Sequence, residues 1–238
     1  MMRMKTRLIT LMGSLLLTSL AQAAPSYLMW HEWSAWSPGK PSRAQQFVIQ
    51  DDGSAQFAEF VDDKLLRLAD FSYPEAKQLP RVMDEFLKLD SHYQVRKTPH
   101  RVVEGRGDKT WLFVSAQGQR KHVQTDLDLQ PRVMFDFRYT LSVPSGGHSG
   151  SFVSVRLMPD SFRPDTADLA QMPTLDAAQL QDFPELLTGL NTPFLLVALP
   201  PQRWQTLLTH LKLTPQTPYV KTAAGDIAKL VFYPSVKP

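Results

Sequence analysis

Gln45-Gln46-Phe47-Val48-Ile49-Gln50-Asp51-Asp52-Gly53-Ser54-Ala55-Gln56-Phe57-Ala58-Glu59-Phe60 is the stretch whose reading decides the fold. Two strand-like runs flank Asp51-Asp52-Gly53, with Phe47 and Ile49 on one side and Phe57 and Phe60 on the other. Asp-Gly between such runs is a strong hairpin signal, because glycine takes the positive φ that a tight turn demands. Downstream, Ser72-Tyr73-Pro74-Glu75 has the form of a capping box. Leu79, Met83, Phe86 and Leu87 then recur at helical spacing. Pro80 falls inside that pattern, where it either kinks the helix or marks its true start. Thr110 to Val114 and Lys121 to Gln124 flank Gln117-Gly118 as a second hairpin, giving strand–strand–helix–strand–strand.

The second half reads in a similar way. Val133, Phe135, Phe137, Tyr139 and Leu141 alternate, which predicts a strand over 133–143 paired with Phe152 to Leu157 across a Ser/Gly loop. The 159–193 segment is rich in Pro, Asp and Leu, with Thr174 and Asp182 as helix caps and Glu185 three residues after the second. A connection of that length is either a packed excursion or a mobile one. Phe194 to Leu199 is a buried strand leading into a helix from Pro201, with Trp204, Leu207, Leu208 and Leu211 on one face. Tyr219 to Lys221 and Ile227 to Phe232 close the chain as a hairpin around Gly225-Asp226.

The fold class is therefore α+β, antiparallel hairpins packed with single helices, because strand–helix–strand alternation is scarce. The units are 24–128 and 129–238, read either as two similar ββαββ halves or as one continuous domain. The run through Phe47, Asp52-Gly53, Phe86-Leu87-Lys88-Leu89, Tyr93, Trp111 and Val123 resembles a small domain of unknown function found in exported bacterial proteins. The resemblance covers about residues 45–125, and it implies a fold without implying an activity or catalytic residues.

The first 23 residues carry an address. Arg3, Lys5 and Arg7 precede an uncharged apolar run from Leu8 to Leu20, and Ala21-Gln22-Ala23 supplies small residues for cleavage before Ala24. That is the layout of a secretory signal peptide, and the apolar run falls short of the roughly 20 residues a membrane span needs. Removing it leaves 215 residues with 23 Lys+Arg against 23 Asp+Glu, so the excess of cations in the full chain (26 against 23) belongs to the leader. A nucleic-acid partner is not indicated, and no later segment reaches anchor length. The absence of cysteine excludes disulfides, thiolate metal sites and a lipidated N-terminal cysteine. The expected location is periplasmic or secreted, with no cofactor and no metal.

Candidate chemistry is sparse. Gly147-His148-Ser149-Gly150-Ser151 approaches the G-x-S-x-G nucleophile elbow, with His210 downstream. An elbow needs a strand before the serine and a helix after it, whereas Phe152 onward alternates like a strand. Trp30, Trp33 and Trp36 cluster near the mature N-terminus, either as a stacking surface for sugar rings or a protein, or as anchors in the core. Their spacing resembles the opening of a thrombospondin type 1 repeat, whose disulfides this chain cannot form. His31, His92, His100, His122, His148 and His210 show no metal-binding spacing. Asp51-Asp52, Asp62-Asp63 and Asp126-Leu127-Asp128 are carboxylate pairs in turns, and Arg106-Gly107-Asp108 lies in a charged loop. The leading expectation is a non-enzymatic envelope protein that binds another envelope protein or cell-wall material through Trp30, Trp33 and Trp36. The alternatives are an exported serine hydrolase using Ser149 and His210, and an inhibitor or immunity protein.

Overall fold

The Asp51-Asp52-Gly53 turn forms as its sequence demands: Gly53 takes φ +85° and its N–H donates to Gln50 O at 2.9 Å. It joins β2 (Arg43–Gln50) to β3 (Ser54–Val61), with Phe47 opposite Phe57. The computed structural model describes residues 25–34, 41–93, 108–126, 129–158, 172–175, 178–214, 219–222 and 224–236. The leader, Trp36, His100, Arg106-Gly107, Leu127-Asp128 and residues 159–171 of the Pro-rich segment lie outside that set.

Around this hairpin stands a seven-stranded sheet. It adds β1 (Tyr27–Ser34), β4 (Lys64–Ser72), β5 (His92–Tyr93), β6 (Lys109–Ala116) and β7 (Gln119–Asp126), in the order β4-β3-β2-β1-β6-β7-β5. All neighbours are antiparallel except β5 and β7. Asp62 and Asp63 both hold positive φ in the β3–β4 turn, so that carboxylate pair shapes a primed hairpin turn. Leu28 and Trp30 of β1 face one side of the sheet, and Tyr27 and Met29 face the other. A strand covered on both faces reads as an unbroken apolar run.

The first face is covered by α1 (Leu79–Leu87) and α2 (Arg132–Arg138). Their Leu79, Met83, Phe86, Met134 and Phe137 join Leu28, Trp30, Phe57 and Leu112 in one core. Ser72 ends β4, and a 3₁₀ turn (Ala76–Gln78) precedes α1. Of the two readings of Pro80, it marks the start, lying in the first turn where no N–H partner is lost. The strand expected over 133–143 is instead α2 followed by irregular chain. Pro131 caps that helix, Arg132 reaches Asp136 one turn on at 2.9 Å, and Met134 and Phe137 bury together at i,i+3. Phe135 and Tyr139 are left outside, so the apparent alternation mixed two helix faces. Arg138 clamps α2 to β1 by donating to both oxygens of Glu32, at 2.6 and 3.1 Å.

A second sheet of five strands packs against the other face. It comprises β8 (Gly150–Leu157), β9 (Thr174–Leu175), β10 (Leu196–Ala198), β11 (Tyr219–Thr222) and β12 (Ile227–Val236), in the order β10-β8-β12-β11-β9. Outside it lie α3 (Pro184–Asn191) and α4 (Pro201–His210). Val153, Val155, Ala228 and Leu230 point to these helices, and Phe152 and Tyr233 point to the first sheet. The result is four layers, helices–sheet–sheet–helices, with mixed sheets and an α+β composition. Thr174 begins β9 and is no helix cap; Asp182 does not cap α3, and Glu185 pairs instead with Arg203 at 2.9 Å. Strand order and helix placement differ between the two sheets, and α2 packs on the first.

The sheets meet through buried glutamines as well as apolar side chains. Gln56 accepts from Leu196 N at 2.7 Å and donates to Leu196 O at 3.0 Å, so its amide acts as a strand partner for the outer edge of β10. Gln46 donates to Phe194 O at 3.0 Å.

Candidate functional site

Ser149 and His210, the residues of the hydrolase alternative, do not form a site. Ser149 lies in the chain that seals the edge of the first sheet: His148 N donates to Leu68 O at 2.6 Å, and Arg67 donates to Gly146 O at 2.8 Å. Arg67 also reaches Pro144 O, and the His148 ring lies 2.9 Å from the Asp70 carboxylate. The segment after Ser149 is β8, so no helix follows to expose a nucleophile. His210 sits at the end of α4 in the outer helix layer, bonded to Gln179 O at 3.1 Å and packed against Phe183. The Ser/Gly chemistry is that of an edge cover, which keeps β4 from pairing with another chain.

The tryptophans divide as well. Trp30 is fully buried, with its Nε1 donating to Glu32 at 3.0 Å and its ring against Phe137. A residue with no exposed surface cannot stack on a ligand, so the binding role expected for Trp30 is replaced by a core role. Trp33 is half-buried on the opposite face of β1, against the cluster of Ala44, Phe60 and Tyr233. Successive odd and even positions of a strand point apart, so Trp30 and Trp33 share no surface. Trp36 lies outside the described residues.

A cavity opens between the two sheets beside β6 and β7. Its volume is about 750 Å³. Its floor is the inner face of the first sheet: Met29 and His31 of β1, Gln46 of β2, Trp111 and Phe113 of β6, and His122 and Gln124 of β7. Its roof comes from the second sheet and the chain beside it, through Arg156, Leu157, Met158 and Phe194. Strand alternation brings these residues together, since Met29 pairs with Phe113 and His31 with Trp111 across β1 and β6. The His31 ring lies 5.3 Å from Trp111 and 6.3 Å from Phe60.

Charge in the cleft is one-sided. Arg156 stands over the Phe60 and Tyr233 rings at 5.4 and 5.7 Å and donates to the Tyr233 hydroxyl. Its Nε–H is buried without a hydrogen-bond partner, and it has no ion-pair partner among the described residues. Arg120 at the rim is paired with Asp226 in the turn between β11 and β12. Lys121, also at the rim, alternates to the helix side of β7 with Val123. No Asp or Glu is among the residues that line the cleft. Burial holds His31 down to about pKa 3, the nearby Arg156 cation lowers it further, and a hydrogen bond to Gln46 acts the other way. His31 is therefore neutral at physiological pH, leaving Arg156 as a cation of the cleft wall without an ion-pair partner among the described residues.

A smaller groove lies between α1 and α2, lined by Tyr73, Glu75, Arg81, Glu85, Arg132 and Asp136. Both of its arginines are paired within it, through Arg81–Glu85 at 3.1 Å and Arg132–Asp136 at 2.9 Å. No group of three or more His, Asp or Glu residues is placed to hold a metal ion among the described residues. No described helix is long and apolar enough to cross a membrane. The cleft itself was not legible in the sequence, because its walls come from separate strands, from β1 near the start of the described chain to β8 and Phe194. The one available signal was Gln46 and Gln56, amides placed beside the apolar residues of β2 and β3. Comparison of the chain with protein-family models and with characterised proteins finds no match.

Proposed function

We propose that this is an exported, non-enzymatic binding protein whose binding site is the inter-sheet cleft. The observation that carries the reading is a partly apolar cavity of about 750 Å³ with Arg156, which has no ion-pair partner among the described residues, in its wall. Ligand sites have this size and character: mostly apolar walls with a few polar groups that fix orientation. Export rests on the Arg3 to Ala23 leader, and predicts that the protein isolated from the cell envelope begins at Ala24.

Binding is favoured over hydrolysis because Ser149 is committed to the edge-sealing chain and His210 to the outer helix layer. Ligand-observed NMR with a mixed library of small acids, amines, alcohols and esters tests this, using wild type and Ser149→Ala. The expected result is saturable binding of some members, equal in both proteins, with every compound recovered unchanged. Conversion of an ester by wild type that disappears in Ser149→Ala would overturn the reading in favour of the hydrolase.

A further inference from the structure

With the inter-sheet cleft read as the binding site, we infer that its ligand is a small monocarboxylate with an apolar body, its carboxylate directed at Arg156. Charge sets the sign. The guanidinium has ring faces and one hydroxyl as neighbours, an unpaired buried Nε–H, and no ion-pair partner among the described residues; the Asp63 carboxylate acts on the same Tyr233 hydroxyl without pairing with Arg156. Arg156 is half-buried, and a guanidinium that has lost part of its hydration without gaining a counter-ion is satisfied by an anionic ligand.

The count of charges sets the class. Arg120 is paired with Asp226, Lys121 reaches the rim but stands opposite Val114 on the helix side of β7, and His31 is neutral. Of the Arg and Lys residues that line the cleft, Arg156 is therefore the one on its inner face that lacks an ion-pair partner among the described residues. A phosphate dianion would call for several cations or a cradle of backbone N–H groups, whereas one planar guanidinium matches one planar carboxylate. The remaining wall fixes the rest of the molecule. Met29, Phe113, Leu157, Met158 and Phe194 form a continuous apolar lining beside Arg156. Methionine and aromatic side chains accommodate an aliphatic or aryl body without polar contacts to lose.

The experiment is calorimetric titration of the wild-type protein with octanoate, 1-octanol and octylammonium, three ligands that share a body and differ in head group. Octanoate is expected to bind at least tenfold more tightly than either other ligand, and high salt to narrow that gap. Arg156→Gln, which keeps a polar donor beside Tyr233, is expected to lose at least tenfold in octanoate affinity with octanol unchanged. Equal binding of octanoate and octanol would overturn the inference while leaving the cleft as a binding site. Failure of all three to bind, alongside binding of other library members, would also overturn it. The comparison among head groups needs no variant, so it stands even if Arg156→Gln fails to fold.

Discussion

Replacing Gln56 by alanine tests how the two sheets are held together. Gln56 is almost fully buried, and its amide makes two hydrogen bonds to the backbone of Leu196, at 2.7 and 3.0 Å. Leu196 lies opposite Ser154 on the edge strand β10, and both its N–H and its C=O are bonded to the glutamine amide. Truncation leaves both groups buried and unpaired, at about 1–3 kcal/mol each, so the expected loss is about 4 kcal/mol. With a urea m-value of about 2 kcal/mol/M, the unfolding midpoint falls by about 2 M. Urea titration followed by circular dichroism and by tryptophan fluorescence measures it, with exposed Gln119→Ala expected to change stability by less than about 0.5 kcal/mol. A loss below about 1 kcal/mol for Gln56→Ala, with an unchanged m-value, would refute the reasoning: water would then be reaching Leu196 between the sheets.

Acid should destabilise the protein through His31. Its folded pKa is depressed to about 3 from an ordinary 6.5, so the stability it contributes is complete above pH 6.5 and declines as pH falls toward 3. At pH 5 the loss is about 2 kcal/mol, and His31→Gln should flatten the pH dependence of urea unfolding by that amount; an unchanged slope would contradict it. Gly53→Ala combines a positive φ with a new Cβ only 2.5 Å from Ala76 Cβ, so a loss of more than about 1 kcal/mol is expected in thermal unfolding. Trp30→Ala should cost about 3–5 kcal/mol and leave octanoate affinity in any surviving folded protein unchanged, since Trp30 faces the helices and not the cleft.

Local features of the fold were legible because their causes are local. The turns at Gly53, Gln117-Gly118 and Gly225 each join neighbouring strands, and α4 carries its apolar face at helical spacing. α2 was misread because Val133, Phe135 and Phe137 satisfy a period of two by composition, while burial selects Met134 and Phe137. Which of two periods wins is decided by the partner surface, here Phe86 and Trp30, and that surface is non-local. β1 and β4 were not delimited as strands for related reasons: β1 is apolar on both faces, and β4 is a charged edge. The stacking of the sheets depends on Gln46 and Gln56 finding the backbone of residues 194 and 196, which no short window contains. The cleft and Arg156 follow from that stacking, whereas Ser149 and Trp30 drew notice through local patterns that the fold uses for edge cover and core.

The most direct test of the account is methyl NMR of methionine-labelled protein titrated with octanoate. Met29 and Met158 line the cleft, and Met83 and Met134 sit in the separate core beneath α1 and α2. Saturable shifts of the Met29 and Met158 methyls, with Met83 and Met134 still, are what a ligand in the inter-sheet cleft predicts. Saturable shifts at Met83 and Met134 with Met29 and Met158 unmoved would place binding on the helix side of the first sheet and contradict the cleft as the site.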